Sequence, residues 1–474
     1  MVQTPNNTDI QLLSPTLHCY YYMLQNSLND SPTSLKERRK IFSDNLNKLA
    51  ENLKIKSGKN NDDLVKSIPL KPDILGSGSL LDSEAISPDY YKPNDDRLYI
   101  NYGMFKNRLA VRCLNDTYFL RFTRYISNQD GVQSLKQFYH LREPISNLET
   151  QLGKTVILAG ILPESVSSPT EIATACLNYY YNFPVEGEDS IQAKNLIENE
   201  FLGSKFYIYK KMVIAEQVKE YTVESIELVC VFLYANEETE KKADKVYQLL
   251  PELLLSYHKI HFFNSQSLIL KKLLNQKYEI LERQTEESHL TLDKLTLIRN
   301  LPQESLNYYK MLSFLEDQQR TISINSTNYD NIIKNIEQKI DNKKMPDFFV
   351  EAQKDFKFYS DQIESNINFL RPGIELYEKL MLSVQTEVSL DQATIQERQA
   401  KLGQLLTGSC AAIAIGQILN TPITLTVSKL LDKNSTQPSI HSLWLGSLLT
   451  ILLSVLAGYT ISKRVYQWFI KDKL

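Results

Sequence analysis

The chain has 474 residues, with 53 Lys and Arg against 56 Asp and Glu and a formal net charge of −3. This length exceeds one typical domain, and the balanced charge leaves no general footprint for nucleic acid as a partner. The five cysteines are scattered and show no metal-ligand or redox spacing, so we expect reduced thiols rather than a disulfide framework.

Residues 1–97 are predicted to form N-terminal helices and a flexible linker. Leu12 to Leu28 and Ser34 to Ile55 are predicted as two helices, and Ser34 suits the N-cap of the second. Residues 68–96 repeat Pro, Gly, Ser and Asp, which is typical of a loop.

Residues 98–236 are predicted to form an α/β cytoplasmic domain. Apolar or alternating segments typical of strands lie at residues 98–105, 110–113, 118–122, 155–162, 206–209 and 226–234. Helices are predicted at Pro169 to Leu177, with Ser168 as the N-cap, and near residues 191–199. A mixed sheet flanked by helices is the simplest architecture for these elements.

Residues 237–401 are predicted to form a helical bundle and a long stalk. The helical patterns cover residues 238–261, 265–287, 291–321, 329–340, 346–370 and the stretch from residue 374 onward. The last helix repeats apolar residues at intervals of seven, at Met381, Val388, Ile395 and Leu402. Asp391 and Arg398 occupy companion positions of this partial heptad. A coiled coil between chains and an ordinary amphipathic helix both fit it.

Residues 402–462 contain two uncharged stretches, at 402–428 and 442–462. Since about 20 apolar residues suffice to cross a bilayer as a helix, the prediction is a C-terminal two-helix transmembrane hairpin. A basic cytoplasmic tail follows at residues 463–474. The flanking Lys and Arg place both termini in the cytoplasm, which predicts a multi-pass membrane protein in contact with lipid. A buried core helix is the alternative for each stretch.

The first uncharged stretch also carries polar and small residues. Gly408, Ala412 and Gly416 recur every four residues, which allows close helix packing. Asn420 and Thr424 share one helical face with Gln417. Such a helix suits the lining of a pore, and a plain anchoring hairpin is the alternative.

No catalytic motif is found in the sequence, so an enzyme is not expected. His258 and His261 could share a metal, but their apolar neighbours favour a packed helix face. The tyrosine triplets at 20–22 and 179–181 likewise favour core packing. One basic cluster is a candidate ligand-binding site, with a solvated strand face as the alternative, and consists of Lys106, Arg108, Arg112, Arg121 and Arg124.

The order of these parts resembles the CorA family of divalent-cation channels, most strongly from Ile374 to Leu474. The resemblance implies a homo-oligomer, a pentamer in that family, around a pore. The pore-lining candidates that it implies are Gln404, Thr407, Gln417, Asn420 and Thr424. It also implies a divalent cation such as Mg²⁺, with no other cofactor. The Gly-Met-Asn motif of the family is absent, because residues 416–422 have the sequence GQILNTP at the matching place.

Three functions are consistent with this reading. The first is a CorA-like ion channel or transporter with a cytoplasmic regulatory domain. The second is a membrane effector of the defence type, gated by a ligand such as a signalling nucleotide in the α/β domain. The third is a non-conducting membrane-anchored scaffold.

Overall fold

We analysed the chain in a computed structural model. The structure describes residues 11–25, 32–53, 78–79, 98–102, 104–114, 116–126, 132–163, 168–184, 190–218, 221–286, 294–341, 343–431, 444–445, 448–449, 452, 456, 460 and 464. For residues 404–425 and 427–431 it describes the backbone alone.

Strands and helices both occur up to residue 234, and the described elements beyond it are helices. The strands are β1 (Gln11–Leu24), β2 (Gly78–Ser79), β3 (Leu98–Tyr102), β4 (Phe105–Leu114), β5 (Thr117–Ile126), β6 (Val132–Ser134), β7 (Gly153–Ile161), β8 (Ile197–Phe201), β9 (Ser204–Val218) and β10 (Tyr221–Tyr234). The helices are α1 (Pro32–Asn52), α2 (Gln137–Arg142), α3 (Pro169–Tyr181), α4 (Glu237–Val246), α5 (Leu250–Glu286), α6 (Lys294–Lys339), α7 (Asp347–Leu370) and α8 (Pro372–Leu431).

The strands form one sheet in the order β2-β4-β5-β1-β7-β10-β9-β8, with β3 paired to β4 and β6 paired to β1. β7 and β10 pair in parallel, whereas the other pairings in the described part of the sheet are antiparallel. The predicted mixed sheet flanked by helices is therefore confirmed, and a helical region follows it as predicted.

The first strand departs from the prediction, because Leu12 to Leu28 was expected to be a helix. Instead β1 lies in the middle of the sheet, between β5 and β7. Residues 17–24 are buried throughout, since helices cover both faces of the sheet there. A strand buried on both faces loses the alternation of apolar and polar residues that identifies a half-exposed strand.

Two layers of helices cover the sheet. On one face, Phe42 of α1 stacks on Tyr118 of β5, and residues of α2 and α3 join the same hydrophobic core. On the opposite face, Tyr247 and His258 of the α4–α5 region contact His18 and Tyr22 of β1. We call the second surface the α5 face, because α5 is the longest helix that lies on it.

The chain divides into two compact units, one comprising residues 1–289 with 303–376 and the other residues 290–302 with 377–474. In the first unit, α5, α6 and α7 share buried aromatic contacts, such as those of Phe356 with Tyr257 and Tyr329. The Tyr308 hydroxyl donates a hydrogen bond to the Leu370 carbonyl at the end of α7, with an O···O distance of 2.6 Å. The second unit contains the greater part of α8.

The predicted transmembrane hairpin over residues 402–462 is wrong. No helix within the described residues is long and apolar enough to cross a membrane. The predictions of a membrane protein and of a multi-pass topology depended on this hairpin and are wrong as well. The physical reason lies in the element itself. The first predicted span is the end of a 60-residue helix that begins at Pro372. Within that span, polar residues such as Gln404, Gln417 and Asn420 interrupt the apolar sequence. The second predicted span, residues 442–462, lies mostly outside the residues that the structure describes.

Candidate ligand-binding site

Four of the five predicted ligand-binding residues come together on one face of the sheet. Lys106, Arg108 and Arg112 lie an even number of residues apart on β4, so their side chains point to the same face. Ala110 pairs with Arg121 of the adjacent β5, which places the Arg121 side chain on that face as well. Arg121 pairs in turn with Tyr20 of β1, on the α5 face. We call Lys106, Arg108, Arg112 and Arg121 the basic site.

Arg124, the fifth predicted residue, does not join them. It lies three positions after Arg121 on β5, and an odd spacing turns its side chain to the opposite face of the sheet. There Arg124 is only 3% exposed, and its guanidinium carbon lies 4.0 Å from the centroid of the Phe105 ring. Arg124 is therefore part of the packing beneath β4 and β5.

Aromatic side chains hold two of the guanidinium groups. The Arg121 guanidinium carbon lies 5.7 Å from the centroid of the Tyr20 ring. Arg108 lies 5.1 Å from the centroid of Tyr125 and donates a hydrogen bond of 3.3 Å to its hydroxyl. Such contacts favour a cation over a ring face. The four basic side chains are half-buried, so they are partly withdrawn from water.

His18 lies within the influence of two charges of the basic site. Its Nδ1 atom lies 3.2 Å from the Thr123 hydroxyl oxygen, and the ring packs on Tyr247 at a centroid distance of 4.3 Å. Burial, followed by the positive charges of Arg121 and Arg108, lowers the pKa of His18 well below its usual value. His18 is therefore neutral, and it adds no positive charge to the two arginines beside it.

The chemistry of the basic site is that of an anion receptor. Arginine is permanently charged and offers only hydrogen-bond donors. Its planar fork matches the oxygens of phosphate and carboxylate groups. In a half-buried position these contacts are screened less than on an open surface. The sequence indicated the basic residues but not Tyr20 or His18, because β1 reaches them only through pairing with a strand about a hundred residues later in the chain.

The two histidines of α5 are buried in packed surroundings. His258 Nε2 lies 2.8 Å from the Thr155 hydroxyl oxygen, and burial lowers the pKa of His258 to about 3. His261 packs among aromatic rings, including those of Tyr257 and Phe356. Across the part of the chain that the structure describes, no group of three or more His, Cys, Asp or Glu is placed to hold a metal ion.

The cavity on the α5 face is too small for a ligand. It lies between the sheet, α4, α5 and the start of α7, and its walls include Phe206, Phe232 and Phe349. The centre of a water molecule can occupy about 20 Å³ of it, which is room for roughly one water. The lining is apolar, so this cavity is best understood as a packing defect.

The predicted pore-lining residues belong to α8, whose backbone is helical throughout this range. The side chains of Gln404, Thr407, Gln417, Asn420 and Thr424 lie outside those that the structure describes.

Comparison with known proteins adds no relative. No protein-family model, no curated protein and no solved structure matches the chain. The resemblance to the CorA family therefore stays a prediction, as do the divalent cation and the pentamer that it implies.

Proposed function

We propose that the first unit is a binding module for a phosphate-bearing ligand, which it holds at the basic site. The observation that carries this proposal is the arrangement of Lys106, Arg108, Arg112 and Arg121 on one half-buried face. An anion bound at this place would lie near several positive charges at once, and each of them would attract it. Surface lysines scattered on a helix would not produce this effect.

The spacing of the arginines favours an extended anion over a single carboxylate. Arg108 and Arg112 are four residues apart on β4, which separates their Cα atoms by about 14 Å at roughly 3.4 Å per residue. Arg121 lies between them on the neighbouring strand, opposite Ala110. A ligand with two or more phosphate groups, such as a nucleotide, can contact all three. Arginine supplies no general base, so the proposal is one of binding rather than of catalysis.

A ligand at this site would regulate the helical region through contacts on the same face. Arg121 lies over Tyr20, and Tyr20 and Tyr22 both stack with Phe119. Tyr22 in turn lies 5.4 Å from His258 of α5, measured between ring centroids. These side chains form one continuous packed path from the basic site to the helix. In the proposal, ligand binding changes the local stability of α5, which is measured by the hydrogen exchange of its amides.

Calorimetric titration tests the proposal with sodium tripolyphosphate, ATP and inorganic phosphate as probes. We expect Arg121→Gln to weaken the binding of tripolyphosphate and ATP by about 10- to 100-fold, because a charged hydrogen bond is worth roughly 1.5–3 kcal/mol. Arg320→Gln is the matched control, since Arg320 is an arginine of α6 whose side chain is 71% exposed. We expect it to leave the affinity unchanged.

Three further measurements make the test decisive. Far-UV circular dichroism checks that Arg121→Gln is folded, and Arg121→Lys retains the charge but not the fork, so we expect an intermediate affinity. Hydrogen exchange of the α5 amides should slow when ATP is added. Binding of no probe by the wild-type chain, or equal affinity in wild type and Arg121→Gln, would refute the proposal.

A further inference from the structure

One segment of α8 exposes nearly all of its described side chains. From Ser389 to Gly403 every described side chain is exposed, apart from Lys401, which is half-buried. Ile395 is 54% exposed and Leu402 is 46% exposed, although both are apolar. Isolated helices of about this length are marginal in water, and most helices are stabilised by packing of an apolar face. The segment therefore calls for a partner along that face.

The sequence of this segment is self-complementary about Ile395. Val388 lies seven residues before Ile395, and Leu402 lies seven residues after it. Asp391 lies four residues before the centre, and Arg398 lies three residues after it. We call these five residues the α8 seam. Because seven residues make two helical turns, the three apolar residues fall on one face of the helix, with the two charged residues beside them.

A second copy of the chain fits the seam in the antiparallel direction. With a two-fold axis at Ile395, the two Ile395 side chains meet, and Val388 of each copy faces Leu402 of the other. Asp391 of each copy then lies within one residue of the level of Arg398 in the other, an axial offset of about 1.5 Å. Apolar groups therefore meet apolar groups, and each acid meets a base. This is the self-complementarity that a two-fold interface requires.

A parallel arrangement in register has the opposite charge pattern. There Asp391 would face Asp391 and Arg398 would face Arg398, and such like-charge pairs disfavour an assembly. Within the described part of the chain neither side chain has an ion pair that would neutralise it. The apolar repeat alone is compatible with either direction, so the charges decide between the two.

We infer that the α8 seam binds a second copy of this chain in the antiparallel direction. The interface is isologous, with Ile395 at its centre and two intermolecular Asp391–Arg398 ion pairs. It differs from the pentamer that the resemblance to the CorA family implies. It is also independent of the basic site, because it involves residues of the second unit alone.

Charge exchange in the full-length chain tests the direction of pairing. Sedimentation velocity measures the dimer dissociation constant of wild type, Asp391→Arg, Arg398→Asp and the double variant. We expect each single variant to weaken the dimer by about tenfold or more, because it places two like charges together. The double variant exchanges the charges of both pairs, so we expect it to return to within about threefold of wild type. Arg320→Asp, far from the seam in sequence, serves as the control and should have no effect.

Disulfide trapping gives an independent readout that does not depend on charge. Val388→Cys and Leu402→Cys chains of different length, one carrying an N-terminal tag, are mixed and oxidised with copper-phenanthroline. The antiparallel seam predicts a mixed Val388→Cys/Leu402→Cys product, because these two positions face each other. Homodimeric products at each position would show a parallel arrangement and overturn the inference. A wild-type chain that sediments as a monomer at all concentrations would overturn it as well.

Discussion

Replacement of His258 should remove a large part of the acid sensitivity of the first unit. His258 is fully buried on α5, between the Thr155 hydroxyl and the Tyr22 ring. Burial lowers its pKa from 6.5 to about 3. The unfolded chain therefore binds a proton at His258 over this range, whereas the folded chain does not. When folding lowers the pKa of a cationic group in this way, the stability that the neutral group contributes is complete above pH 6.5 and is lost as the pH falls towards 3.

The magnitude follows from the two pKa values. Between pH 7.5 and pH 5.0 the unfolded state of wild type gains a proton at His258 from a group with a pKa of 6.5, and the folded state gains almost none. The linkage relation then gives a loss of about 2 kcal/mol from this residue alone. The pKa values of His18 and His261 are lowered by burial as well. These two residues add their own losses, and His258 is the smallest of the three causes that lower the pKa of His261, so those losses change little in the variant.

Urea denaturation followed by far-UV circular dichroism at both pH values measures the difference. We expect His258→Gln to be less stable than wild type at pH 7.5 but to lose about 2 kcal/mol less on acidification. His140→Gln is the control, because His140 is exposed on α2 and should leave the loss unchanged. The reasoning fails if His258→Gln and wild type lose the same free energy of unfolding between the two pH values.

Five further substitutions, in three experiments, test the packing by chemical denaturation. Tyr308→Phe should lower the free energy of unfolding by about 1–2 kcal/mol, because a buried carbonyl of α7 loses its donor. Tyr329→Phe removes the equivalent bond at the other end of α7 and should lower it by about the same amount. An unchanged denaturation midpoint in both variants would refute this role. Glu227→Leu should destabilise the protein by about 3–5 kcal/mol, because Lys154 then loses the ion-pair partner that lies 3.0 Å away. Adding Lys154→Met should recover most of that loss. No recovery in the double variant would contradict the role of the ion pair. Gly153→Ala should unfold at a lower urea concentration than wild type, since the backbone φ is +139° and a Cβ atom would overlap a neighbouring imidazole ring; a wild-type midpoint would show that the backbone adapts.

Local sequence patterns predicted several strands of the sheet, including a run that is buried throughout. The strand predicted at residues 226–234 forms the C-terminal part of β10, and the helix predicted from Pro169 begins there as α3. Residues 191–199 were predicted to be helical, but they contain a short 3₁₀ turn followed by β8. Edge strands of this kind have mixed exposure, so their pattern resembles that of an amphipathic helix.

The candidate site could be predicted in part. Alternation along β4 and β5 is enough to group Arg108, Arg112 and Arg121 and to separate Arg124, once the register of the two strands is known. Tyr20 could not be placed beside Arg121 from the sequence, because pairing between distant strands is a property of the whole fold. The α8 seam is the opposite of the basic site in this respect. The spacing of its residues is visible in the sequence, and only the exposure of their side chains required a structure.

The position of β1 in the middle of the sheet has a consequence for biosynthesis. β1 is hydrogen-bonded on its two sides by β5 and β7, which are translated much later than β1. At 5–20 residues per second, about 130 residues separate the end of β1 from the start of β7, a delay of roughly 6–25 s. Until β7 has been made, this tyrosine- and leucine-rich segment lacks at least one of its two neighbours, so the nascent chain should be a client of chaperones that shield apolar peptides until the sheet can close.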